Sequence, residues 1–101
     1  MLEIIIEKSF RKDIERDKKS GQYSNKDFKI LKSIIRSLQS QDNLDPKYKR
    51  HSLKGKLKDF ESVHVKSDWL LIFRVEVQYL DLVMLGKHTQ VYKKFKLNQK
   101  S

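Results

Sequence analysis

The sequence of 101 residues contains no cysteine, only one proline and only three glycines. The absence of cysteine excludes a disulfide framework and a thiolate metal site. A small chain without such cross-links is more typical of the cytoplasm than of secreted proteins, so we expect a cytoplasmic location. The length predicts a single domain over residues 1–101 and excludes a multi-domain enzyme or a repeat array.

Long apolar runs are also missing. The longest apolar stretch, near residues 69–73, is far shorter than the roughly 18 to 20 residues that a membrane-spanning helix needs. The first residues lack the basic region that opens a secretory signal, so we expect neither a membrane span nor export. Hydrophobic residues make up 38% of the chain, which is low but sufficient for one core.

Acidic residues are few beside the basic ones: 13 Asp and Glu stand against 23 Lys and Arg, for a net charge of +10. Such an excess attracts polyanions and accelerates their capture, which makes nucleic acid the leading partner class. A membrane surface and an acidic protein are the alternatives. The membrane is the weaker one, because the basic segment 8–19 offers only Phe10 and Ile14 as an apolar face.

The apolar pattern predicts six regular elements and a C-terminal helix. Residues 2–6 form a β-branched run typical of a strand buried on both faces, and residues 8–19 predict a short, highly solvated helix that ends at Gly21. After Ser24 and Asn25, either of which can cap a helix, apolar residues recur at spacings of three and four up to Leu38. Residues 60–65, 69–77 and 79–85 predict an antiparallel meander, and residues 87–101 predict a short helix with a frayed end.

This order, β-α-α-β-β-β followed by a helix, predicts an α+β fold. Two N-terminal helices pack on one face of a mostly antiparallel four-stranded sheet. The other face is left uncovered, and we expect a site to form there. Residues 40–55, rich in turn-forming and basic residues, are expected to be a long functional loop.

Two features of the sequence can carry chemistry. The basic run 47–58 holds no acid and includes Tyr48 and His51, which suits a phosphate-binding surface, although a solvated loop is an equally simple interpretation. The other histidines, His64 and His88, lie beside predicted strands, and Asp68 follows His64 closely enough to orient an imidazole. In the strand from residue 60, alternation places His64 on the side opposite the valines.

Metal-free RNA cleavage needs a base for the ribose 2′-hydroxyl, an acid for the leaving 5′-oxygen and cations for the phosphorane. Imidazoles, lysines and arginines can fill these roles. The spacing of the three histidines matches no compact metal motif, so we expect no metal site and no cofactor.

Three segments carry a resemblance to a known family. LDPKYKRHSLKG (residues 44–55), HVKSDWLLIF (residues 64–73) and LVMLGKH (residues 82–88) are similar to the YafQ branch of the RelE/ParE toxins, and the similarity spans nearly the whole chain. The resemblance implies a RelE-like fold and a bacterial type II toxin. Such a toxin is an mRNA endonuclease, commonly acting in the ribosomal A site, that is neutralised by a cognate antitoxin. We expect that antitoxin to be acidic and partly disordered when free.

Matching positions imply a catalytic set of His51, His64, Asp68 and His88, with His88 as the principal proton-transfer residue and Asp68 as orienter or base. The other two histidines share the remaining acid–base and phosphate roles. The expected RNA-binding residues are Lys47, Lys49, Arg50, Lys54, Lys56, Arg74, Lys87 and Tyr92, the last standing where the family usually has Phe.

Two positions depart from the family pattern. Met84 and Glu61 stand where the branch usually has arginines, which could cost transition-state stabilisation and slow turnover. The residues that could take the place of these arginines are Arg74, Lys54, Lys56 and Lys87, although a lysine ammonium is a point charge and lacks the two parallel hydrogen bonds of a guanidinium. The alternative function is therefore a non-catalytic toxin of this scaffold, or a basic nucleic-acid-binding module, that inhibits its target by binding.

Overall fold

The helices and strands follow the predicted chain order, with one additional short strand. A computed structural model describes residues 1–98. Its elements are β1 (Glu3–Ile6), α1 (Lys8–Ser20), α2 (Asn25–Gln39), β2 (His51–Ser52), β3 (Glu61–Lys66), β4 (Trp69–Glu76), β5 (Tyr79–Gly86) and α3 (His88–Asn98). Single 3-10 turns lie at Pro46–Tyr48 and Gly55–Leu57. The predicted fraying at the end of the chain concerns residues outside the described range.

The sheet has five strands in the order β1-β5-β4-β3-β2, so the prediction of four strands is wrong. The additional strand, β2, is only two residues long and lies inside the segment expected to be a loop. Such a short strand has no alternating pattern that a sequence could reveal. β1 pairs parallel to β5 and the other three pairs are antiparallel, which makes the sheet mixed.

β1 is not buried on both faces, as its run of isoleucines predicted. It is an outer strand with β5 as its neighbour, and Ile4, Ile5 and Ile6 are 39%, 40% and 47% exposed. Leu2, just before the strand, is the residue that enters the core. The prediction failed because a continuous apolar run indicates a strand but does not tell a central position from an edge.

The main core lies between one sheet face and the helices α1 and α2, as predicted. In α2, Leu31, Ile34 and Leu38 form the buried stripe. Ser24 caps this helix in a capping box with Asp27, which confirms the helix start predicted from the sequence. The helix α1 ends at Gly21, whose positive φ of 74° forms the left-handed cap that glycine favours.

α1 is less solvated than predicted. Phe10, Asp13 and Asp17 are all buried, and the two carboxylates lie on the helix face that meets β4 and β5. Burial of carboxylates is costly unless they are hydrogen-bonded, and the sequence pattern shows a charged helix without showing its partners.

The second sheet face is not left uncovered. There, α3 and the segment around Leu53 pack onto β4 and β5 and form a smaller core with Leu70, Ile72 and Met84. The site therefore cannot occupy the whole of this face, and its histidines lie at the end of the face where α3 begins. Among residues 1–98, no helix combines the length and apolar character needed to cross a membrane.

Candidate active site

The strand register brings His51 and His64 together. β2 pairs with β3 so that His51 lies opposite Ser62, and His64 is the next residue of β3 on the same face. The centroids of the two imidazole rings are 6.4 Å apart. Val63 and Val65 point to the main core, which places His64 on the opposite face, as the alternation predicts.

His88 lies on the same face of the sheet and approaches His64 from the end of β5, across β4. In the cross-strand row His64 lies opposite Leu70, and Leu70 lies opposite Gly86 at the end of β5. His88 follows as the first residue of α3, and its ring centroid is 5.3 Å from that of His64. The three imidazoles thus form one continuous group at the end of the sheet.

Asp68 lies in the turn between β3 and β4 and holds His88 in place. Its Oδ1 accepts a hydrogen bond from the backbone N–H of His88 at 2.9 Å and contacts the ring Nδ1 at 2.6 Å. These bonds, the backbone bond first, lower the pKa of Asp68, so the carboxylate is ionised at neutral pH. A carboxylate only accepts hydrogen bonds, so Nδ1 of His88 carries a proton and Nε2 is left to exchange one.

His51 has the same arrangement with a different partner. Its Nδ1 lies 2.9 Å from the carbonyl oxygen of Lys49, which can only accept. Nδ1 is therefore the protonated nitrogen when this bond forms, and Nε2 of the neutral ring has a free lone pair. Two of the three imidazoles thus have a fixed tautomer, as a proton-transfer group requires.

The environment of His64 differs from that of its neighbours. Burial, followed by the positive charges of His88, Lys49 and His51, lowers the pKa of His64. The Nδ1 atom of His64 is buried and has no hydrogen-bond partner among the described residues. His64 is therefore predominantly neutral at pH 7.

Five of the expected RNA-binding residues lie around this group. Lys47 and Lys49 line a cleft that His64 also lines, whereas Lys54 and Tyr92 line a second cleft with His51. The ring of Tyr92 lies 6.2 Å from that of His88. Lys87 precedes His88, and its charge contributes to the lowered pKa of Asp68. Lys56 is exposed on the Gly55–Leu57 turn.

The two arginines among the expected RNA-binding residues are held by carboxylates away from the imidazoles. Arg50 is bound by Glu61 through two hydrogen bonds of 2.8 and 3.2 Å and lies over Phe73, which belongs to the main core. Arg74 pairs with Asp81 at 3.1 Å. Arg74 lies four residues along β4 from Leu70, the neighbour of His64, which is about 13 Å along the strand. Neither guanidinium is positioned beside the imidazoles.

The structure also shows what occupies the two divergent positions. Met84 is 5% exposed and packs in the smaller core, opposite Ile72 in the row that leads to Ser62 and His51. Glu61 lies on the opposite face of the sheet and is engaged by Arg50. Among the described residues, the cross-strand row of Met84, Ile72, Ser62 and His51 contains no lysine or arginine in place of the arginine that the resemblance implies.

A partly buried ionic group that ties α1 to the end of β5 was not predicted from the sequence. Arg16 joins Asp13 and Asp17 and donates a 2.8 Å hydrogen bond to the carbonyl of Leu85. A Cβ atom at Gly86 would lie 2.9 Å from Oε1 of Gln90 and 3.1 Å from a guanidinium nitrogen of Arg16, so a larger residue here would require these two side chains to shift. The i, i+4 spacing of the two aspartates on the Phe10 face of α1 was the available signal.

Within the described residues, no group of three or more His, Asp or Glu side chains is arranged to hold a metal ion. The histidines are adjacent in a line and each is bound or packed separately. The groups that the arrangement brings together are imidazoles, one carboxylate and nearby lysines.

Comparison with known proteins identifies similar chains. Residues 2–93 match the family described as "Bacterial toxin of type II toxin-antitoxin system, YafQ". The chain is 31% identical over 78 residues to a protein of Escherichia coli K12 called "mRNA interferase toxin YafQ", covering 76% of this chain and 85% of that protein.

Solved structures agree with the fold. A metal-bound toxin from Helicobacter pylori superposes with a TM-score of 0.80 at 40% identity, covering 90% of this chain and 99% of the other. A DinJ-YafQ complex from E. coli contains a chain with a TM-score of 0.80 at 26% identity, covering 91% and 99% of the two chains.

Proposed function

This chain belongs to the YafQ family of bacterial type II toxins, and we propose from that premise that it is an mRNA endoribonuclease that works by acid–base catalysis without a metal ion. The observation that carries the proposal is the grouping of three imidazoles with one carboxylate, in which Nδ1 of His51 and of His88 are held by acceptors. The name of the E. coli relative, an mRNA interferase, supports the same reaction.

The reaction is an intramolecular transesterification, in which the phosphorus exchanges its bond to a 5′-oxygen for a bond to the neighbouring 2′-oxygen. A base removes the proton of a ribose 2′-hydroxyl, and the 2′-oxygen attacks the adjacent phosphorus. The bond from phosphorus to the 5′-oxygen breaks, and an acid gives that oxygen a proton. The products are a 2′,3′-cyclic phosphate, or the 3′-phosphate formed from it by water, and a free 5′-hydroxyl.

The residues divide these roles by environment. His88, fixed by Asp68, is the principal proton-transfer residue, and its Nε2 is the exchanging atom. His51 and His64 supply the second proton-transfer group and a contact to the phosphate, and the neutral state of His64 suits a base. Lys49, Lys54 and Lys87 supply positive charge for the phosphorane.

The partners follow from the charge and the relatives. The net charge of +10 favours RNA and, beyond it, the ribosome. An acidic antitoxin, partly disordered when free, is proposed to fold across the basic surface and block the site. The complex of the E. coli YafQ with DinJ supports an antitoxin partner. We propose the cytoplasm, where mRNA is translated, as the site of action.

Inducible expression of the wild type and of His88→Ala, with mapping of cellular RNA ends, tests the proposal. We expect growth arrest and new 5′-hydroxyl ends with the wild type and neither with His88→Ala. The neighbouring exposed Thr89→Ala serves as the control and should behave as the wild type. Undiminished cleavage by a variant lacking His51, His64 and His88 would show that the assigned roles are wrong.

A second candidate is a toxin that inhibits by binding alone. It is favoured by Met84, which fills an apolar core position, and by Glu61, which neutralises Arg50, because both reduce the cations available to the transition state. In this case His88→Ala would still arrest growth, and no new RNA ends would appear.

A further inference from the structure

A cleft beside His64 is not used by the acid–base group. It has a volume of about 460 Å³ and lies between α2, the Pro46–Tyr48 turn and the end of β3. Its lining is Ile30, Lys47, Tyr48, Lys49, His64, Val65, Lys66 and Ser67. Apart from His64, these residues have no part in the proton transfers.

We infer that this cleft holds the base of a nucleotide next to the cleaved phosphate, with the ring of Tyr48 as its stacking platform. The inference rests on the proposed ribonuclease function and gives it a substrate class: RNA that is single-stranded at the cleavage point. A base in a duplex is stacked on its neighbours and its face is not available to a protein side chain.

The lining has the mixture of groups that an unpaired base requires. Tyr48 is half-buried, packs against the main core and carries Lys47 Nζ at 5.2 Å from its ring centroid. Ile30 also packs against that core. Lys47 Nζ lies over the ring, so the flexible lysine side chain marks the face of Tyr48 that a base would take, with the ammonium displaced toward the phosphate. Aromatic rings in a positively charged groove stack bases without strong sequence preference.

Positive charge rims the same cleft. Lys47 and Lys49 belong to the turn on one side, and Lys66, which is 46% exposed and paired with Asp27, lies on the other. The backbone of Lys49 is held in a left-handed conformation, with a φ of 51°, an N–H bonded to the carbonyl of Pro46 and a carbonyl oxygen in contact with His51. Phosphates on either side of a bound base would therefore meet lysines, as a polyanion requires.

His64 connects the cleft to the proposed chemistry. It lines the cleft and also belongs to the imidazole group, 5.3 Å from His88 between ring centroids. A base lying on Tyr48 thus places one of its adjacent phosphates at the histidines. The second cleft, which is lined by His51, Lys54 and Tyr92, lies on the other side of the group and leaves room for the next nucleotide.

Two substitutions of Tyr48 separate stacking from packing. Tyr48→Leu keeps apolar volume against the core but removes the aromatic face, whereas Tyr48→Phe keeps that face. Tyr79→Leu is the matched control, because Tyr79 is 39% exposed at the start of β5, beside the edge strand and away from the histidines. Each variant is first shown to unfold at a urea concentration near that of the wild type.

The substrates are short single-stranded RNAs with one mapped cleavage point. One form is intact, and two forms lack the base on the 5′ or on the 3′ side of the cleaved phosphate. A fourth form carries a 2′-deoxyribose at the cleavage point, so that it binds without reacting. Cleavage gives KM and kcat, and fluorescence anisotropy of the fourth form gives Kd.

We expect Tyr48→Leu to raise Kd and KM about tenfold, the effect of losing one stacked base, and to change kcat by less than about twofold. Tyr48→Phe and Tyr79→Leu should bind as the wild type. On one of the two RNAs that lack a base, Tyr48→Leu should cause no further loss, because the stacking partner is already gone.

Several results would overturn the inference. An unchanged Kd for Tyr48→Leu would do so, and so would an equal loss of affinity with Tyr48→Phe. The inference would also fail if Tyr48→Leu weakened binding of both RNAs that lack a base as much as it weakens binding of the intact RNA. If the wild type cleaves no RNA, the proposed ribonuclease function fails. Anisotropy of the intact single-stranded RNA with the wild type and with Tyr48→Leu then still shows whether Tyr48 contributes to RNA binding, and equal Kd values would overturn the inference.

Discussion

Asp68 accepts two hydrogen bonds from His88, one from its backbone N–H and one from its ring Nδ1. A single carboxylate in the β3–β4 turn thereby fixes both the first residue of α3 and the orientation of its imidazole. The two residues are 20 positions apart in sequence, and the antiparallel pairing of β4 with β5 brings them together. This relationship gives the first prediction.

Asp68→Asn should lower kcat about a hundredfold and change KM by less than about twofold. The amide oxygen can still accept from the backbone N–H, but the negative charge that orients and stabilises the imidazole is lost. Single-turnover cleavage of a labelled RNA measures the effect, with the exposed Asp42→Asn as the control. A kcat equal to that of the wild type would mean that Asp68 does not act through His88.

The stability of the protein should fall on acidification, in part through His64. Because the pKa of His64 is lowered from its ordinary value of 6.5, the unfolded chain binds a proton at a higher pH than the folded one. The contribution of neutral His64 to the free energy of unfolding is therefore complete above pH 6.5 and is lost as the pH falls toward the pKa of His64 in the folded protein. Urea unfolding at pH 7.5 and 5.5, followed by the fluorescence of Trp69, should show a smaller decrease for His64→Gln. An equal decrease in both proteins would contradict the lowered pKa.

Met84→Arg, which introduces the residue that the family resemblance implies at this position, should destabilise this chain by about 3 kcal/mol. The side chain would enter an apolar core formed with Leu53, Ile72 and Val91, where a guanidinium loses its hydration and the methionine packing is lost. Met84→Leu is the matched control and should cost less than about 1.5 kcal/mol. A folded Met84→Arg protein of wild-type stability that cleaves RNA faster would show that the position is open to the site.

Asp17→Asn should lower the free energy of unfolding by about 3 kcal/mol. Asp17 is buried and accepts hydrogen bonds from Trp69 Nε1 at 2.8 Å and from Arg16 at 2.9 and 3.1 Å, and an amide nitrogen would face donors. Glu15→Gln, at an exposed position of the same helix, should cost almost nothing. Equal urea midpoints for the two variants would contradict the role of this buried group.

Lys49→Gln should weaken RNA binding and reduce its dependence on salt. For single strands the slope of log K against log salt falls by about 0.7 for each phosphate that the protein no longer neutralises. Lys12→Gln removes the same charge from α1, beside the β1 edge of the sheet, and should leave the slope unchanged. Anisotropy titrations of an unreactive RNA from low to high salt measure both slopes, and identical slopes would exclude an interaction of Lys49 with a phosphate.

The elements with a clear period were predictable from the sequence. The stripe of α2 and the meander of β3, β4 and β5 are close to their expected bounds, because side-chain periodicity reports directly on which face is buried. β2 was not predictable, since two residues form no pattern. The exposure of Ile4 to Ile6 was not predictable either, because it depends on the strand order.

The candidate site divides in the same way. His51, His64, Asp68 and His88 were identified by residue type and resemblance, and the structure brings their side chains together, while their roles stay predictions. The sequence could not show that Arg50 binds Glu61 or that Arg74 lies beside Asp81, because such pairs depend on the register of β2 and β4. The cleft at Tyr48 is likewise formed by segments distant in sequence.

The parallel pairing of β1 with β5 has a consequence for synthesis of the protein. Glu3 pairs opposite Tyr79, so the first strand has no sheet neighbour until β5 has been made. Arg16 and Asp13 in α1 also wait for Leu85. Until His88 has been made, a nascent chain therefore holds His51 and His64 without the third imidazole, and the ionic group of α1 lacks its partner on β5. The candidate site is thus assembled only after β5 and the start of α3 have been synthesised.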